Sequence, residues 1–242
     1  MHFGGIQMAQ KKPTGIAVIE SKWWPNSNAS VQGLFNTLSD IFCDNHHGYH
    51  YETANNHQTL KEVIARVGAM RKCRTLFIAC HGDVKGLDIS EKSKQYFTSK
   101  KLADAICKVS GSSVDGLYLS CCNFGSEKTA ATILGSKAKV NWVAGYREEV
   151  DWMSSSAFDM LFFNVLLDKK HRKGKKTSDR EQIEKVAKTV VEQAEGLISQ
   201  LGFQIYVKKK GGGVVDLIDV CRKKRELDVR RSYEKEFKAD KS

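Results

Sequence analysis

The apolar residues of this chain occur in two patterns that follow one another along the sequence, and these predict strands and helices. One pattern is a short run that is apolar throughout, typical of a strand buried on both faces of a parallel sheet. These runs lie at 15–20, 75–80, 117–121 and 140–144, and a further strand is predicted at 49–53. The other pattern has helical spacing and lies at 29–43, 59–70, 100–109, 126–134 and 154–167. Strands alternating with helices predict a three-layer α/β/α fold with a mostly parallel central sheet.

The remaining segments predict a hairpin, a loop and a C-terminal extension. Residues 86–90 alternate like one arm of a small exposed hairpin that follows the strand at 75–80. A capping box at 178–181 opens a helix, and two strands follow at 203–207 and 214–220. The predicted organisation is a core, a basic exposed loop, a helix and strand pair that complete the domain, and a charged helical tail. Their bounds are 14–168, 169–177, 178–220 and 221–242.

Size and composition favour a globular protein of the cytoplasm. The chain has 242 residues, of which 41% are hydrophobic and only two are proline. The richest apolar stretch, 157–167, is too short to span a membrane, and residues 1–12 lack the apolar core of a secretory signal. Seven cysteines at irregular spacings do not resemble a disulfide framework, which favours a reducing compartment.

Positive charge is concentrated in the C-terminal third of the chain. The formal net charge is +11, and the segment 169–176 holds six of the 39 basic residues. A second basic concentration begins at Lys208 and includes 222–225 and 230–231. Such runs bind phosphate backbones or anionic surfaces, but more often they are solvated loops and helix faces. No nucleic-acid-reading motif accompanies the charge, so nucleic acid is a partner that the sequence does not favour.

The candidate chemistry lies where two of the apolar runs end. The run at 75–80 leads into His81 and Gly82, and the run at 117–121 leads into Cys122. Because ligands bind at the carboxyl ends of strands in an open α/β sheet, neighbouring strands would bring this imidazole and thiol together. An imidazole beside a thiol is the arrangement that activates a cysteine nucleophile.

Each residue taken alone also has a simpler interpretation. A histidine at a strand end is often just hydrogen-bonded there, and a free cysteine is often a small buried hydrophobe. Two neighbours favour the functional interpretation. Gly82 lets the backbone approach a ligand, and the segment after Cys122 predicts a strand-to-helix turn, where a helix N-terminus favours thiolate.

In combination, the two motifs resemble those of caspase-like cysteine peptidases (clan CD). This group includes caspases, metacaspases, gingipains, separase and bacterial CHAT domains. The resemblance is nearest to CHAT, whose Leu-Ser-Ala-Cys-Glu-Thr-Gly motif is similar to residues 119–125, Leu-Ser-Cys-Cys-Asn-Phe-Gly. The likeness covers roughly residues 14–168 and also includes the arm at 86–90 and the strand that leads to Gly145.

The resemblance implies a cysteine endopeptidase that needs no cofactor or metal. It places Cys122 on the nucleophile and His81 on the general base and acid, and the amides of Gly82 and Cys122 would stabilise the oxyanion. In several relatives an acidic residue after the next strand selects a basic side chain before the scissile bond. Asp151 is the candidate here, with Glu149 and Glu148 as alternatives.

Relatives of this group suggest a biological setting as well. They act by limited proteolysis of a protein partner, in regulated cell death or bacterial defence, and stay inactive until triggered by an activating partner. Caspase relatives also cut a linker between their subunits, and the basic loop at 169–176 is the corresponding candidate for self-cleavage.

Three alternatives to this interpretation stay open from sequence. Cys121 could be the nucleophile, although strand alternation points it to the face opposite Cys122. Cys80, His81, Cys121 and Cys122 could bind zinc, although no Cys-x-x-Cys pair exists among them. The chain could also be a catalytically silent module that binds nucleic acid or a partner protein through its basic surface.

Overall fold

Strands alternate with helices along most of the chain. The computed structural model describes residues 15–23, 28–42, 48–89, 95–109, 114–168 and 179–239. The strands within these ranges are β1 (Gly15–Glu20), β2 (Tyr49–Thr53), β3 (Cys73–Ala79), β4 (His81–Asp83), β5 (Gly86–Asp88), β6 (Gly116–Ser120), β7 (Trp142–Tyr146), β8 (Phe203–Lys208) and β9 (Val214–Asp216). The helices are α1 (Gln32–Phe42), α2 (His57–Gly68), α3 (Ser99–Cys107), α4 (Glu127–Gly135), α5 (Trp152–Leu167), α6 (Asp179–Leu201) and α7 (Leu217–Ala239).

Seven of the strands form one central sheet in the order β2-β1-β3-β6-β7-β8-β9. The pairs from β2 through β7 are parallel, whereas β8 and β9 join antiparallel at one side. The mostly parallel sheet predicted from the sequence is therefore confirmed. The strand order, which local pattern does not reveal, places β3 directly beside β6.

Helices cover both faces of this sheet and complete the three layers. On one face, side chains from α2, α3 and α4 pack in one cluster with alternate residues of the strands, including Ile78 of β3. On the other face, α1, α5, α6 and α7 pack in a second cluster that includes Phe77. Adjacent residues of β3 thus enter opposite cores, which is why the strand is apolar throughout from Leu76 to Ala79.

The hairpin predicted after the His81 strand is present, but it is less exposed than expected. Strands β4 and β5 pair antiparallel, and the turn at 84–85 is exposed. Leu87 is fully buried, however, and its backbone bonds that of Phe97, with Leu87 N–H donating at 3.1 Å and Phe97 N–H at 2.9 Å. This extra partner covers one side of the arm, so Leu87 faces the core while Asp88 and the turn face solvent.

The C-terminal segment differs from the prediction in one element. The strand expected at 214–220 ends at Asp216, and helix α7 begins at Leu217 and continues to Ala239. Asp216 favours this early start, because its carboxylate accepts a hydrogen bond from the Ile218 N–H at 2.9 Å. Gly211, Gly212 and Gly213, between β8 and β9, all have positive φ, a conformation that glycine adopts in tight turns without steric cost.

Several sequence predictions fall outside the described residues. These are the N-terminal segment 1–12, the basic loop 169–177, Ser178 of the capping box and the last residues of the tail, 240–242. Within the described ranges, every helix is too short or too polar to cross a membrane.

Candidate active site

The register between β3 and β6 brings the two candidate catalytic residues to one edge of the sheet. Ala79 lies opposite Ser120 in this parallel pair. The next residues along each strand are also neighbours, with the sulfur atoms of Cys80 and Cys121 3.6 Å apart. His81 and Cys122 follow immediately, so both lie just beyond the carboxyl ends of adjacent central strands. This is the ligand-binding edge of an open α/β sheet.

Gly82 lies directly against the backbone of Cys122. A Cβ atom added to Gly82 would be 2.6 Å from the carbonyl oxygen of Cys122 and 2.8 Å from the Cβ of Cys121. Both distances are shorter than real Cβ contacts, and neither neighbour is a flexible side-chain end. Glycine is therefore needed for the hairpin to approach the β6 end so closely, and this approach holds His81 beside the Cys122 turn.

The imidazole of His81 is oriented by Trp23, which follows β1. Its Nε2 lies 2.6 Å from the backbone carbonyl oxygen of Trp23, and the two rings meet edge to face with centroids 5.4 Å apart. Because a carbonyl only accepts hydrogen bonds, this contact requires the hydrogen on Nε2. In the neutral ring Nδ1 then carries the lone pair and is the nitrogen able to take up a proton.

Cys122 lies in a tight turn between β6 and α4. Its side chain is half-buried, and its sulfur lies 3.8 Å from the backbone carbonyl oxygen of Val150. The next residue, Asn123, has a φ of 59°, a left-handed conformation that asparagine tolerates well. Its N–H donates to the carbonyl oxygen of Glu148 at 3.1 Å. The loop after β7 therefore borders the thiol.

Cys121 has a different environment from its neighbour. Its side chain is only 1% exposed, and burial raises the pKa of this thiol well above its ordinary value. Its sulfur faces Cys80 and the carbonyl oxygen of Ile78, at 3.5 Å from the latter. A buried thiol with a raised pKa is a poor nucleophile, so the geometry favours Cys122 over Cys121.

The three acidic candidates for substrate binding lie on the loop that borders Cys122. Glu148 and Glu149 are exposed, and Glu148 lies 3.6 Å from the guanidinium of Arg147. Asp151 is exposed as well, but it also caps α5 by accepting a hydrogen bond from the Ser154 N–H at 2.8 Å. Hydrogen bonds from the backbone and from the side chain of Ser154 lower the pKa of the Asp151 carboxyl.

A buried polar cluster behind the Cys122 strand was not identified from the sequence. Asp159 of α5 is 3% exposed and accepts hydrogen bonds from the hydroxyls of Tyr118 and Tyr146 and, at 2.8 Å, from Ser120. Burial raises the pKa of Asp159 to about 6. The acidic residue within the most apolar helix was the available signal, since a buried carboxyl needs hydrogen-bond partners.

The cysteine and histidine side chains at the strand ends do not form a larger cluster. Throughout the parts of the chain that the structure describes, no group of three or more His, Cys, Asp or Glu side chains is arranged to hold a metal ion. Cys80 and Cys121 face each other in the interior, whereas His81 is exposed at the sheet edge.

Comparison with known proteins finds a similarity of fold but not of sequence. No family model matches the chain, and no curated protein matches its sequence. Among solved structures, the fold is similar to that of an inactive zymogen C11 protease from Parabacteroides distasonis, with 11% sequence identity and a TM-score of 0.46. The match covers 84% of this chain and 63% of that protein. Identity this low carries no residue roles across, so the roles considered below rest on the geometry of this chain.

Proposed function

We propose that this chain is a cysteine endopeptidase of the caspase-like clan, nearest to the bacterial CHAT proteases. Cys122 is the nucleophile, and His81 is the general base and acid. The observation that carries the proposal is the close approach of Gly82 to Cys122, in which a Cβ on the glycine would lie 2.6 Å from the Cys122 carbonyl oxygen. This approach sets the backbone next to His81 against the Cys122 turn, which supports a pairing of the imidazole with the thiol.

The proposed reaction is acyl transfer to the Cys122 sulfur. The sulfur attacks the peptide carbonyl carbon as the thiol proton passes to His81. The C–N bond then breaks, and His81 gives the proton to the leaving amine. Water hydrolyses the thioester and regenerates the thiol. The hydrogen bond from Nε2 to the Trp23 carbonyl supports this role, because it puts the lone pair of the neutral ring on Nδ1.

The amides of Gly82 and Cys122 are the proposed donors to the oxyanion. Each such donor is worth about 3 kcal/mol of transition-state stabilisation. Their proximity supports the assignment, since a Cβ on Gly82 would lie 3.4 Å from the Cys122 nitrogen. One donor lies in the β4–β5 hairpin and the other in the turn after β6, and the close packing of Gly82 on Cys122 fixes the two relative to each other.

The proposed substrate is a protein that is cut after a basic residue. Asp151 is the proposed acid that recognises the basic side chain, with Glu149 and Glu148 as alternatives. All three lie on the loop that borders the nucleophile, next to Val150, whose carbonyl oxygen lies 3.8 Å from the Cys122 sulfur. A carboxylate at this position would pair with lysine or arginine in the substrate.

The proposed biological role is limited proteolysis of one partner, in bacterial defence or regulated cell death, after release by an activating protein. Self-cleavage in the basic loop 169–176, outside the described residues, is part of this proposal. Mass spectrometry of the freshly purified chain tests it, because a chain that stays intact on incubation would count against self-processing.

Labelling with a thiol-reactive peptide tests the catalytic assignment. The probe is an acyloxymethyl ketone peptide with arginine at its reactive end, compared with a matched alanine probe. We expect the arginine probe to label wild type and the Cys121→Ala variant, and to leave Cys122→Ala and His81→Ala unlabelled or nearly so. Equal labelling of wild type and Cys122→Ala would remove Cys122 from the active site.

A failure of labelling in the folded wild type would favour the silent binding module over the peptidase. Mapping of new protein N-termini in cells that express wild type or Cys122→Ala then identifies the substrate. Cleavage sites that appear only with wild type, and that share a basic residue before the cut, are the expected result.

A further inference from the structure

Glu20 is a buried carboxylate with an unusually complete set of hydrogen bonds. It is the last residue of β1 and is 3% exposed. Its Oε1 accepts from the Trp23 Nε1 at 2.6 Å and from the Val31 N–H at 2.9 Å. Its Oε2 accepts from the hydroxyls of Ser30 and Tyr51, both at 2.6 Å. Burial of a carboxylate is costly unless such donors satisfy it, so this arrangement is built around Glu20.

The four donors come from three separate parts of the chain. Trp23 follows β1, Ser30 and Val31 precede α1, and Tyr51 lies on β2, the neighbour of β1 at the sheet edge. Glu20 therefore ties the start and the end of the connection between β1 and α1 to the sheet. Tyr51 is part of this cluster through its hydrogen bond to Glu20. Burial and this bond raise the pKa of the phenol to about 12.

Trp23 links this cluster to the candidate active site. The indole is held by Glu20, while the backbone carbonyl of the same residue lies 2.6 Å from the Nε2 of His81. The indole also packs edge to face on the imidazole, with centroids 5.4 Å apart. Both of these contacts with the imidazole come from Trp23, and the indole of Trp23 is held by the buried carboxylate of Glu20.

From this geometry we infer that Glu20 is a positioning residue for His81, acting through Trp23. Glu20 holds the indole, the indole fixes the Trp23 carbonyl, and the carbonyl keeps the hydrogen of the neutral imidazole on Nε2. Nδ1 then carries the lone pair of the neutral ring and is the atom that would exchange a proton with Cys122 and substrate. The catalytic consequence rests on the proposed peptidase function, whereas the orientation of His81 does not.

The conservative variant separates anchoring from charge. In Glu20→Gln the amide oxygen can accept from Trp23 and Val31, and the amide nitrogen can donate to the hydroxyls of Ser30 and Tyr51, which also accept. Glu20→Gln therefore retains the anchor, whereas Glu20→Ala removes it. Glu52→Ala is the matched control, because Glu52 is an acid on neighbouring β2 whose partners are His50 and Arg66.

The decisive measurement is the tautomer of His81, read from the ¹⁵N shifts of the imidazole in histidine-labelled protein and assigned with His81→Gln. We expect the Nε2–H form in wild type, Glu20→Gln and Glu52→Ala, and a mixture of tautomers in Glu20→Ala. Labelling by the arginine acyloxymethyl ketone should slow about tenfold in Glu20→Ala. It should stay at the wild-type rate in Glu20→Gln and Glu52→Ala.

A second variant keeps the test valid if Glu20→Ala does not fold. Trp23→Phe keeps an aromatic ring and the backbone carbonyl but removes the indole N–H that bonds Glu20, and we expect the same mixture of tautomers. A single Nε2–H form in folded Glu20→Ala or Trp23→Phe would overturn the inference. If wild type shows the Nε2–H form but neither wild type nor any variant is labelled, the peptidase proposal fails and the positioning role stands.

Discussion

Asp151 combines a structural contact with a proposed substrate contact. Its carboxylate caps α5 by accepting from the Ser154 N–H at 2.8 Å, yet the side chain is exposed beside the loop that borders Cys122. A simple alanine substitution removes the cap and the charge together. Asparagine caps helices as well as aspartate does. Comparing Asp151→Asn with Asp151→Ala therefore separates the loss of the charge from the loss of the cap.

We expect Asp151→Asn to retain stability and Asp151→Ala to lose about 1 kcal/mol of unfolding free energy, because only alanine removes the cap. If the carboxylate recognises a basic side chain, both variants should react about tenfold more slowly with the arginine probe, since a hydrogen bond to a charged group is lost. Reaction with the alanine probe is the control. Unchanged selectivity in both variants would assign Asp151 to the cap alone and direct attention to Glu148 and Glu149.

The adjacent cysteines show how far sequence reasoning reaches for single residues. Strand alternation predicts that Cys121 and Cys122 face opposite ways, and in the structure Cys121 is 1% exposed whereas Cys122 is half-buried in the turn. The role of Trp23 had no comparable signal. Its contact with His81 is made by a backbone carbonyl, which every residue carries, so residue identity does not reveal it.

The β4–β5 hairpin is the element that carries His81 to the sheet edge where Cys122, the proposed nucleophile, lies. Among the contacts that hold it in place are the backbone pairing of Leu87 with Phe97 and the close packing of Gly82 on the end of β6. The first anchors the far arm in the core. The second leaves no space for a side chain at Gly82, which makes this position the most direct test of the hairpin's placement.

We expect Gly82→Ala to lose roughly 2 kcal/mol of unfolding free energy and most reactivity of Cys122. The added Cβ would lie 2.6 Å from a backbone oxygen, so the hairpin must shift and carry His81 with it. Gly196→Ala in helix α6 is the control, because its added Cβ meets nothing within 4 Å, and it should stabilise by up to about 1 kcal/mol. Chemical denaturation and probe labelling measure both effects. Wild-type reactivity in Gly82→Ala would contradict the close approach.

Elements were predictable where a single pattern dominates, and less so where local and tertiary effects compete. The runs at 75–80 and 117–121 predict β3 and β6 because both faces of each strand are buried. Residues 214–220 carry a similar run, but Asp216 caps a helix there and the strand ends early. The burial of Leu87 was also missed, since its covering partner Phe97 follows in a different segment.

In the molecule as a whole, Asp159 connects the helical layer to the centre of the sheet. It lies on α5 and bonds Tyr118 and Ser120 of β6 and Tyr146 of β7. Because Ser120 is two residues before Cys122, this cluster fixes the strand that leads to the proposed nucleophile. Burial raises the pKa of the Asp159 carboxyl from 3.8 to about 6, so the folded chain keeps a proton that the unfolded chain releases.

This difference predicts how stability depends on pH. Between about pH 4 and pH 6 the folded state binds more protons than the unfolded state, so the unfolding free energy falls as pH rises, and it levels off above pH 6. A pKa difference of about two units corresponds to about 3 kcal/mol. The side chain of the Asp159→Asn variant does not titrate. Burial also raises the pKa of Asp216 to about 6, but Asp216 is present in wild type and in the variant, so its contribution cancels when their stabilities are compared.

Urea denaturation of wild type and Asp159→Asn at several pH values measures this contribution. We expect the stability of wild type relative to the variant to decrease by up to about 3 kcal/mol from pH 4 to pH 7. A stability difference that stays constant over this range would show that Asp159 is not a buried carboxyl with a raised pKa. That result would also count against the hydrogen bonds that Tyr118 and Ser120 of β6 donate to Asp159 of α5.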